Sequence, residues 1–235
     1  MGRVYAPAEG RVTVERRRGA RTLRVDGTHA SWYRPGEALT RSVWDALALP
    51  LAWLPPARRR SVLVLGLGGG SAARLVRTIA PRSRIVGVET SAEVIQAAKR
   101  WFDLDALQIE VVHGCARQHL RRSRATFDAI IEDVFVGRGR ALHKPDWLPE
   151  PGLAAAARRL RPGGLLISNA IDEAQAVTRC MRGLFPSTVR IGVAGFDNQI
   201  VVGGPSPLTA RDLRAAAGAH PLLAQALDGL SFRSR

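Results

Sequence analysis

The sequence predicts an α/β protein: a doubly wound, mostly parallel sheet with a small amino-terminal β-hairpin unit. Three observations carry that prediction. Short apolar runs such as SVLVLGL alternate with segments of helical spacing such as SAARLVRTIA, which is the rhythm of a sheet covered by helices on both faces. The tract Gly66-Leu67-Gly68-Gly69-Gly70-Ser71 interrupts the chain where the first of these runs would hand over to a helix. The 235 residues are 46% apolar and 23% charged, enough to bury one sizeable core. We expect residues 1–35 to form the hairpin unit and residues 36–235 the sheet domain.

Each element follows from its local pattern. RVTVERRRG (11–19) and RTLRVDG (21–27) alternate as strands do, and Gly19 marks the turn between them. GEALTRSVWDALALPLAWL (36–54) spaces its apolar residues as a helix and stops at Pro55-Pro56. After the basic tract ARRR (57–60) come strand SVLVLGL, helix SAARLVRTIA, strand RIVGVET and helix SAEVIQAAKRWF. IEVVHG and FDAIIEDVFV are two further strands, with the basic, helix-compatible CARQHLRRSR between them. A looser segment, GRGRALHKPDWLPEPG (137–152), precedes helix LAAAARRL, and RPGG then turns into strand LLISNAI. The tail adds helix DEAQAVTRCMRGLF, the strand pair TVRIGVAG and NQIVVGGP, and a terminal helical region.

Composition narrows the function classes. The amino terminus MGRVYAPAEG has no apolar signal-peptide core. The longest apolar stretch, ALALPLAWLPP (46–56), is broken by prolines and short of the roughly 20 residues of a membrane span. Cys115 and Cys180 are too few for a disulfide scaffold or a zinc site, so a cytoplasmic protein without a metal is expected. The net charge of +15 invites a nucleic-acid reading. Its arginines, however, are scattered in short clusters with no aromatic residues interleaved as stacking platforms. A solvated basic surface is the expectation, and nucleic acid is not expected as the main partner.

In an open α/β sheet a ligand sits beyond the carboxyl ends of the strands, beside the first one. The glycine tract lies there, with glycines that let a ligand touch the backbone and a helix start that offers N–H groups. No Gly-Lys-Ser/Thr follows, so it is not a P-loop, and Ser71 stands where a dinucleotide fingerprint wants glycine. Glu89 ends the next strand, 23 positions after Gly66, where an acid can accept both hydroxyls of a ribose. Leu160-Arg161-Pro162-Gly163-Gly164-Leu165 before an apolar strand resembles the turn common in S-adenosylmethionine (AdoMet)-dependent methyltransferases. The ligand expected is therefore a sulfonium nucleoside, in a Rossmann-like, AdoMet-methyltransferase type of sheet.

Over nearly its whole length the chain resembles the spermidine synthases, the polyamine aminopropyltransferases. Val25-Asp26-Gly27 is similar to their Leu-Asp-Gly signature, and VLVLGLGGGS lies where they have a strand followed by GGGDGG. VETSAEVIQAAKRWF is similar to the stretch with their ribose-binding acid, FDAIIEDVFVG to the run into D-S-S-D-P, and NQIVVGGPSPL to a late strand and loop. The resemblance implies nucleoside contacts at Gly66, Gly68, Gly69, Gly70, Glu89, Gly114 and Cys115, with Asp133 as the catalytic residue that orients or deprotonates a nucleophile. It implies substrate positions at Val136, where the second aspartate of D-S-S-D-P would stand, and at Asp45, which follows Trp44 at the place of a histidine. A homodimer is also implied by family habit.

The departures thin the polyamine chemistry. Gly69 replaces the loop aspartate that contacts the transferred aminopropyl amine, Val136 replaces a second aspartate, and Cys115 replaces the Asp of a Gly-Asp pair. Holding decarboxylated AdoMet and a dicationic diamine away from water needs several carboxylates. A loop without an aspartate, offering N–H groups at a helix start, suits the carboxylate of AdoMet better than an ammonium. The expected function is thus AdoMet-dependent methyl transfer to an unidentified small-molecule acceptor, an amine among the candidates. The alternatives are aminopropyl transfer from decarboxylated AdoMet in polyamine biosynthesis, and a relative that binds a nucleoside or a partner without catalysis. Glu132 is read as structural, Asp128 as a surface residue and Trp44 as packing.

Overall fold

The computed structural model describes residues 2–5 and 12–234; Arg11, the first residue of the expected hairpin, lies outside them. Four antiparallel strands open the chain in the order β1-β2-β3-β4: β1 (Gly2–Tyr5), β2 (Val12–Arg17), β3 (Ala20–Val25) and β4 (Thr28–Tyr33). The expected hairpin is β2–β3, and a further strand flanks it on each side. Arg18-Gly19 (φ 48° and 81°) and Asp26-Gly27 (φ 48° and 80°) make the two tight turns, with two left-handed residues each as type I′ hairpins require.

Helix α1 (Val43–Ala48) is shorter than expected and passes directly into a 3₁₀ segment, Leu49–Trp53. The cause is Pro50, which has no N–H to continue the α-helical ladder. The alternation then runs β5 (Ser61–Leu65), α2 (Ser71–Ile79), β6 (Arg84–Glu89), α3 (Ala92–Trp101), β7 (Glu110–His113), α4 (Ala116–Arg122) and β8 (Phe127–Glu132). It continues through α5 (Gly152–Ala157), β9 (Leu160–Ala170), α6 (Ala174–Leu184), β10 (Ser187–Val193) and β11 (Gln199–Gly204). Helices α7 (Ala210–Gly218) and α8 (Pro221–Ala224) and strand β12 (Leu230–Ser234) complete it.

The large sheet has the order β12-β10-β11-β9-β8-β5-β6-β7. Strands β5 to β9 are parallel, and β11, β10 and β12 join antiparallel. Three expectations change. The terminal helical region also contains β12, which pairs with β10. Arg161 to Gly164 do not precede the fifth parallel strand but bulge within β9, where Phe127 pairs with Leu160 and Ala129 already with Leu165. Strand β8 stops at Glu132, and Val136 makes only an isolated bridge to His143.

Every residue of β5 and β8 is buried, as parallel strands covered on both faces must be. One core gathers α1, α2 and α7 on one face of the sheet, and a second gathers α4, α5 and α6 on the other. A third, smaller core sits between the amino-terminal sheet and α3, with Val14, Leu23, Tyr33, Val94 and Phe102 at its centre. Asp128 is buried, contrary to the surface position expected. Its carboxylate accepts from the amides of Arg60 and Ser61 and from Arg161, stapling the starts of β5 and β9 to β8. Among the described residues no helix is long and apolar enough to cross a membrane.

Candidate active site

The strand order reverses between β5 and β8, with β6 and β7 laid out on one side and β9 on the other, and a cavity of about 560 Å³ opens at their carboxyl ends, where a doubly wound fold leaves a crevice. Its floor on one side is made by Gly66, Gly68, Glu89, Gly114 and Cys115 at the ends of β5, β6 and β7. Its other side carries Asp133, Val136, Trp44, Asn169 and Asn198. The β3–β4 turn, with Asp26 and His29, closes over the top. Gly69, Gly70 and Asp45 are not on its wall.

The glycines have distinct jobs. A Cβ on Gly66 would stand 2.4 Å from the Asp133 carbonyl oxygen, so the missing side chain lets the end of β8 close against β5. There the Asp133 amide donates to Leu65 at 2.9 Å. A Cβ on Gly69 would meet Ser31 Cβ at 2.8 Å and Phe102 Cδ1 at 3.1 Å, and one on Gly70 would meet Leu104 at 2.8 Å. Those two glycines admit the amino-terminal sheet and the core rather than a ligand. Gly114 has nothing within 4 Å of such a Cβ, so its backbone is bare towards the cavity.

The loop amides are already engaged. Gly68 N–H donates to Glu89 Oε2 at 2.9 Å, Gly69 N–H to Ser31 Oγ at 2.7 Å, and Gly70 N–H to the Leu67 carbonyl at 3.0 Å. The amides of Gly68, Gly69 and Gly70 are thus not free to receive the carboxylate of AdoMet, which leaves that expectation to the first amides of α2. Ser71, where a dinucleotide fingerprint wants glycine, has a structural role. Its hydroxyl accepts from the Trp32 amide at 2.9 Å and donates to the Trp32 carbonyl at 2.8 Å, docking β4 onto the start of α2.

Glu89 is half-buried at the end of β6. Besides the Gly68 amide it accepts from the Ser91 amide at 3.0 Å, and this pair of bonds fixes the carboxylate on the cavity wall. Cys115 is the residue before α4 and its thiol is free. His113 bonds the Thr90 carbonyl at 3.0 Å and is an ordinary strand-end histidine. A bare Gly114 backbone beside a fixed Glu89 fits a nucleoside: the acid can accept from ribose hydroxyls, and the bare backbone leaves room for a flat base.

Asp133 follows directly after β8. Its Oδ1 accepts from Asn169 Nδ2 at 2.8 Å, and Asn169 Oδ1 in turn accepts from Asn198 Nδ2 at 2.9 Å. Burial pushes the Asp133 carboxyl above the usual range, while Asn169, Lys144 and a hydrogen bond from Trp44 pull the other way. A carboxyl so raised is a better proton acceptor near neutral pH than an ordinary one. The sequence reading missed Asn169 and Asn198, because a lone asparagine on β9 and another in the loop before β11 carry no local signal. Trp44, expected as packing, does pack edge-on against His29, with ring centroids 5.0 Å apart, but it also faces the cavity.

Beneath this site lies a buried ion pair. Lys144 Nζ donates to Glu132 Oε1 at 2.7 Å and to the Val134 carbonyl at 3.0 Å, with both charged side chains 1% exposed. Glu132 also accepts from Ser168 at 2.6 Å and from the Val134 amide at 2.8 Å. Both Glu132 oxygens are matched, and Lys144 Nζ also lies 4.0 Å from the centroid of the Phe135 ring, so the pair ties the segment after β8 to the loop carrying Lys144. Asp45 spends its carboxylate on Thr40 and on the amides of Thr40 and Arg41 at the start of α1, and burial raises its pKa. It ties down Thr40 and Arg41, the residues that lead into α1, and is not on the cavity wall. Val136 is on the cavity wall and 41% exposed.

The comparisons agree with this geometry. A methyltransferase domain model matches residues 62–164. The polyamine aminopropyltransferase of Chromobacterium violaceum is 30% identical over 114 residues, 47% of this chain and 42% of that one. A solved probable spermidine synthase from Corynebacterium glutamicum superposes with a TM-score of 0.72 at 20% identity, covering 99% of this chain and 90% of that one. Human methyltransferase-like protein 13 in complex with SAH superposes at 0.65 and 24% identity, covering 79% of this chain and 92% of that one. At those identities the two structures establish the fold. The chain spans less than half the length of the curated relatives it matches, from 13% to 42%.

Proposed function

We propose that this spermidine-synthase-like chain, which has the class I methyltransferase fold, is a transferase that binds AdoMet and directs its methyl group to a nucleophile held at Asp133. Glu89 would take the ribose hydroxyls, and the Gly114–Cys115 backbone would border the adenine. Bound there, AdoMet supplies an electrophilic methyl carbon on a sulfonium. The chain's own part is alignment and one proton: Asp133, fixed through Oδ1 by Asn169, orients the acceptor and takes its proton.

The observation that carries the reading is the scarcity of carboxylates opposite Glu89. Decarboxylated AdoMet and a diamine would bring several positive charges to a wall where, among the described residues, Asp133 is joined by neutral amides, aromatic rings and branched apolar chains. The Gly69 position, filled by Ser31 and Phe102, has no room for a side chain that could supply another. A second reading, aminopropyl transfer, draws on the aminopropyltransferase relative and on the same Asp133.

Thermal unfolding with AdoMet, decarboxylated AdoMet and NAD separates these readings. A ligand at 100 times its Kd adds about 2.7 kcal/mol. For a chain of this size that is a rise of roughly 5–10 °C in Tm. We expect AdoMet to give the larger rise and Glu89→Ala to lose it. A larger rise with decarboxylated AdoMet would favour aminopropyl transfer, and no rise with either nucleoside would sink both.

A further inference from the structure

The cavity is asymmetric in chemistry as well as in position. On the β6–β7 side it presents Glu89 and bare backbone; on the β8–β9–β11 side it presents rings and branched chains, among them Trp44, Phe135, Val136, Trp147, Ile171 and Phe196. Large exposed apolar side chains are rare among the described residues: Val136 at 41%, Phe196 at 39% and Leu184 at 37%. Two of the three sit on this one wall. An exposed apolar patch that rims a cavity marks a surface kept for a ligand.

Charge points the same way. Among the described residues, three carboxylates line the cavity: Asp26, Glu89 and Asp133. Glu89 is held by two backbone amides on the nucleoside side, and Asp26 faces Arg138 at 3.6 Å. Glu132, the residue before Asp133, is turned inward onto Lys144. The cavity wall near Asp133 otherwise offers Asn169 and Asn198, which are neutral, and His29, whose pKa is lowered by burial and by Arg24. One carboxylate can take one proton; it cannot neutralise a polycation withdrawn from water.

Resting on the AdoMet reading above, we infer that the acceptor is a flat, apolar molecule carrying a single phenol-type hydroxyl, not a polyamine. The rings at Trp44, Phe135 and Trp147 and the side chains of Val136 and Phe196 cover its body, and its hydroxyl meets Asp133. In the transfer the hydroxyl proton passes to the Asp133 carboxylate as the oxygen lone pair forms a bond to the methyl carbon. The carbon–sulfur bond breaks, its electron pair stays on sulfur, and the products are a methyl ether, a neutral thioether and a protonated Asp133. The sulfonium charge and the Asp133 charge disappear together, so the transfer leaves no new charge beside the apolar wall.

The test uses the full chain loaded with S-adenosylhomocysteine and two probes, 2-naphthol and putrescine, with binding followed by calorimetry. We expect 2-naphthol to bind at least about tenfold more tightly than putrescine. Val136→Asp, an exposed substitution that adds a carboxylate to the apolar wall, should move that ratio towards putrescine by about tenfold. With AdoMet in place of its product, 2-methoxynaphthalene should form and Asp133→Asn should abolish it. Putrescine binding as tightly as 2-naphthol, or neither probe binding, overturns the inference while stabilisation by S-adenosylhomocysteine still upholds the nucleoside site. Loss of that stabilisation instead removes the nucleoside site, and the acceptor inference with it.

Discussion

Asp133 shows how a single residue can be placed against its own solvation. Its carboxyl is pushed above the usual value of 3.8 chiefly by burial, only partly offset by Asn169, Lys144 and Trp44. A group whose pKa is raised on folding adds stability below its unfolded pKa and loses it as pH rises through the folded pKa. At neutral pH, above its unfolded pKa, the buried Asp133 carboxyl is therefore a cost to the fold, and Asp133→Asn, which still accepts from Asn169, should be the more stable protein. That advantage should shrink as pH falls towards 4, where the unfolded carboxyl also protonates. Denaturation midpoints of the two proteins across pH 4–8 check this, and an advantage that grew on acidification would contradict it. The same shift places the acid limb of any activity above the range of an ordinary carboxylate.

At the scale of elements, the ends of β5 and β8 are joined through what Gly66 lacks. Its φ of 81° and the 2.4 Å from a Cβ to the Asp133 carbonyl oxygen make Gly66→Ala wrong twice. The left-handed backbone alone costs about 1–3 kcal/mol, with the displaced end of β8 in addition. Gly114→Ala meets open space and should leave the unfolding midpoint nearly unchanged while it crowds the cavity. A comparison of midpoints and nucleoside affinity for the two variants checks both halves. These neighbours also mark what was legible beforehand. The glycine tract, the acid at the end of β6 and the aspartate after β8 are each written in contiguous sequence, so their elements and placement could be read. The Asn198–Asn169–Asp133 chain joins three elements, and no local pattern encodes it. Strand β12 escaped for a related reason: its LSFRS pairs along only one edge and has a single buried residue. Asp45 misled because an acid beside a tryptophan looks the same in sequence whether it faces a cavity or ties down the chain leading into its helix.

For the whole molecule, the charge of +15 asks what so many arginines are for. Several serve as clamps on carbonyls that secondary structure leaves over. Arg59 donates to the Leu54 and Ala52 carbonyls, closing the turn after α1. Arg77, on α2, reaches four: Leu107 at 2.9 Å, Pro81 at 2.9 Å, Ser83 at 2.7 Å and Gln108 at 3.2 Å. Arg74 lies over the Tyr33 ring at 4.2 Å and ties α2 to the amino-terminal sheet. A guanidinium suits this work because its five N–H groups fan out in one plane, whereas an ammonium is a point donor on a flexible stem. Arg77→Lys keeps the net charge but cannot span four carbonyls in separate loops. It should cost about 1–3 kcal/mol, the range for leaving part-buried polar groups without partners. Arg17→Lys, on the exposed end of β2, conserves charge equally and should stay within about 0.5 kcal/mol of the parent. Urea unfolding of both variants at two salt concentrations decides the point. A loss at Arg77 that persists in high salt identifies hydrogen-bond geometry as its source; equal, salt-sensitive losses at both sites would mean that the arginines act through their charge alone.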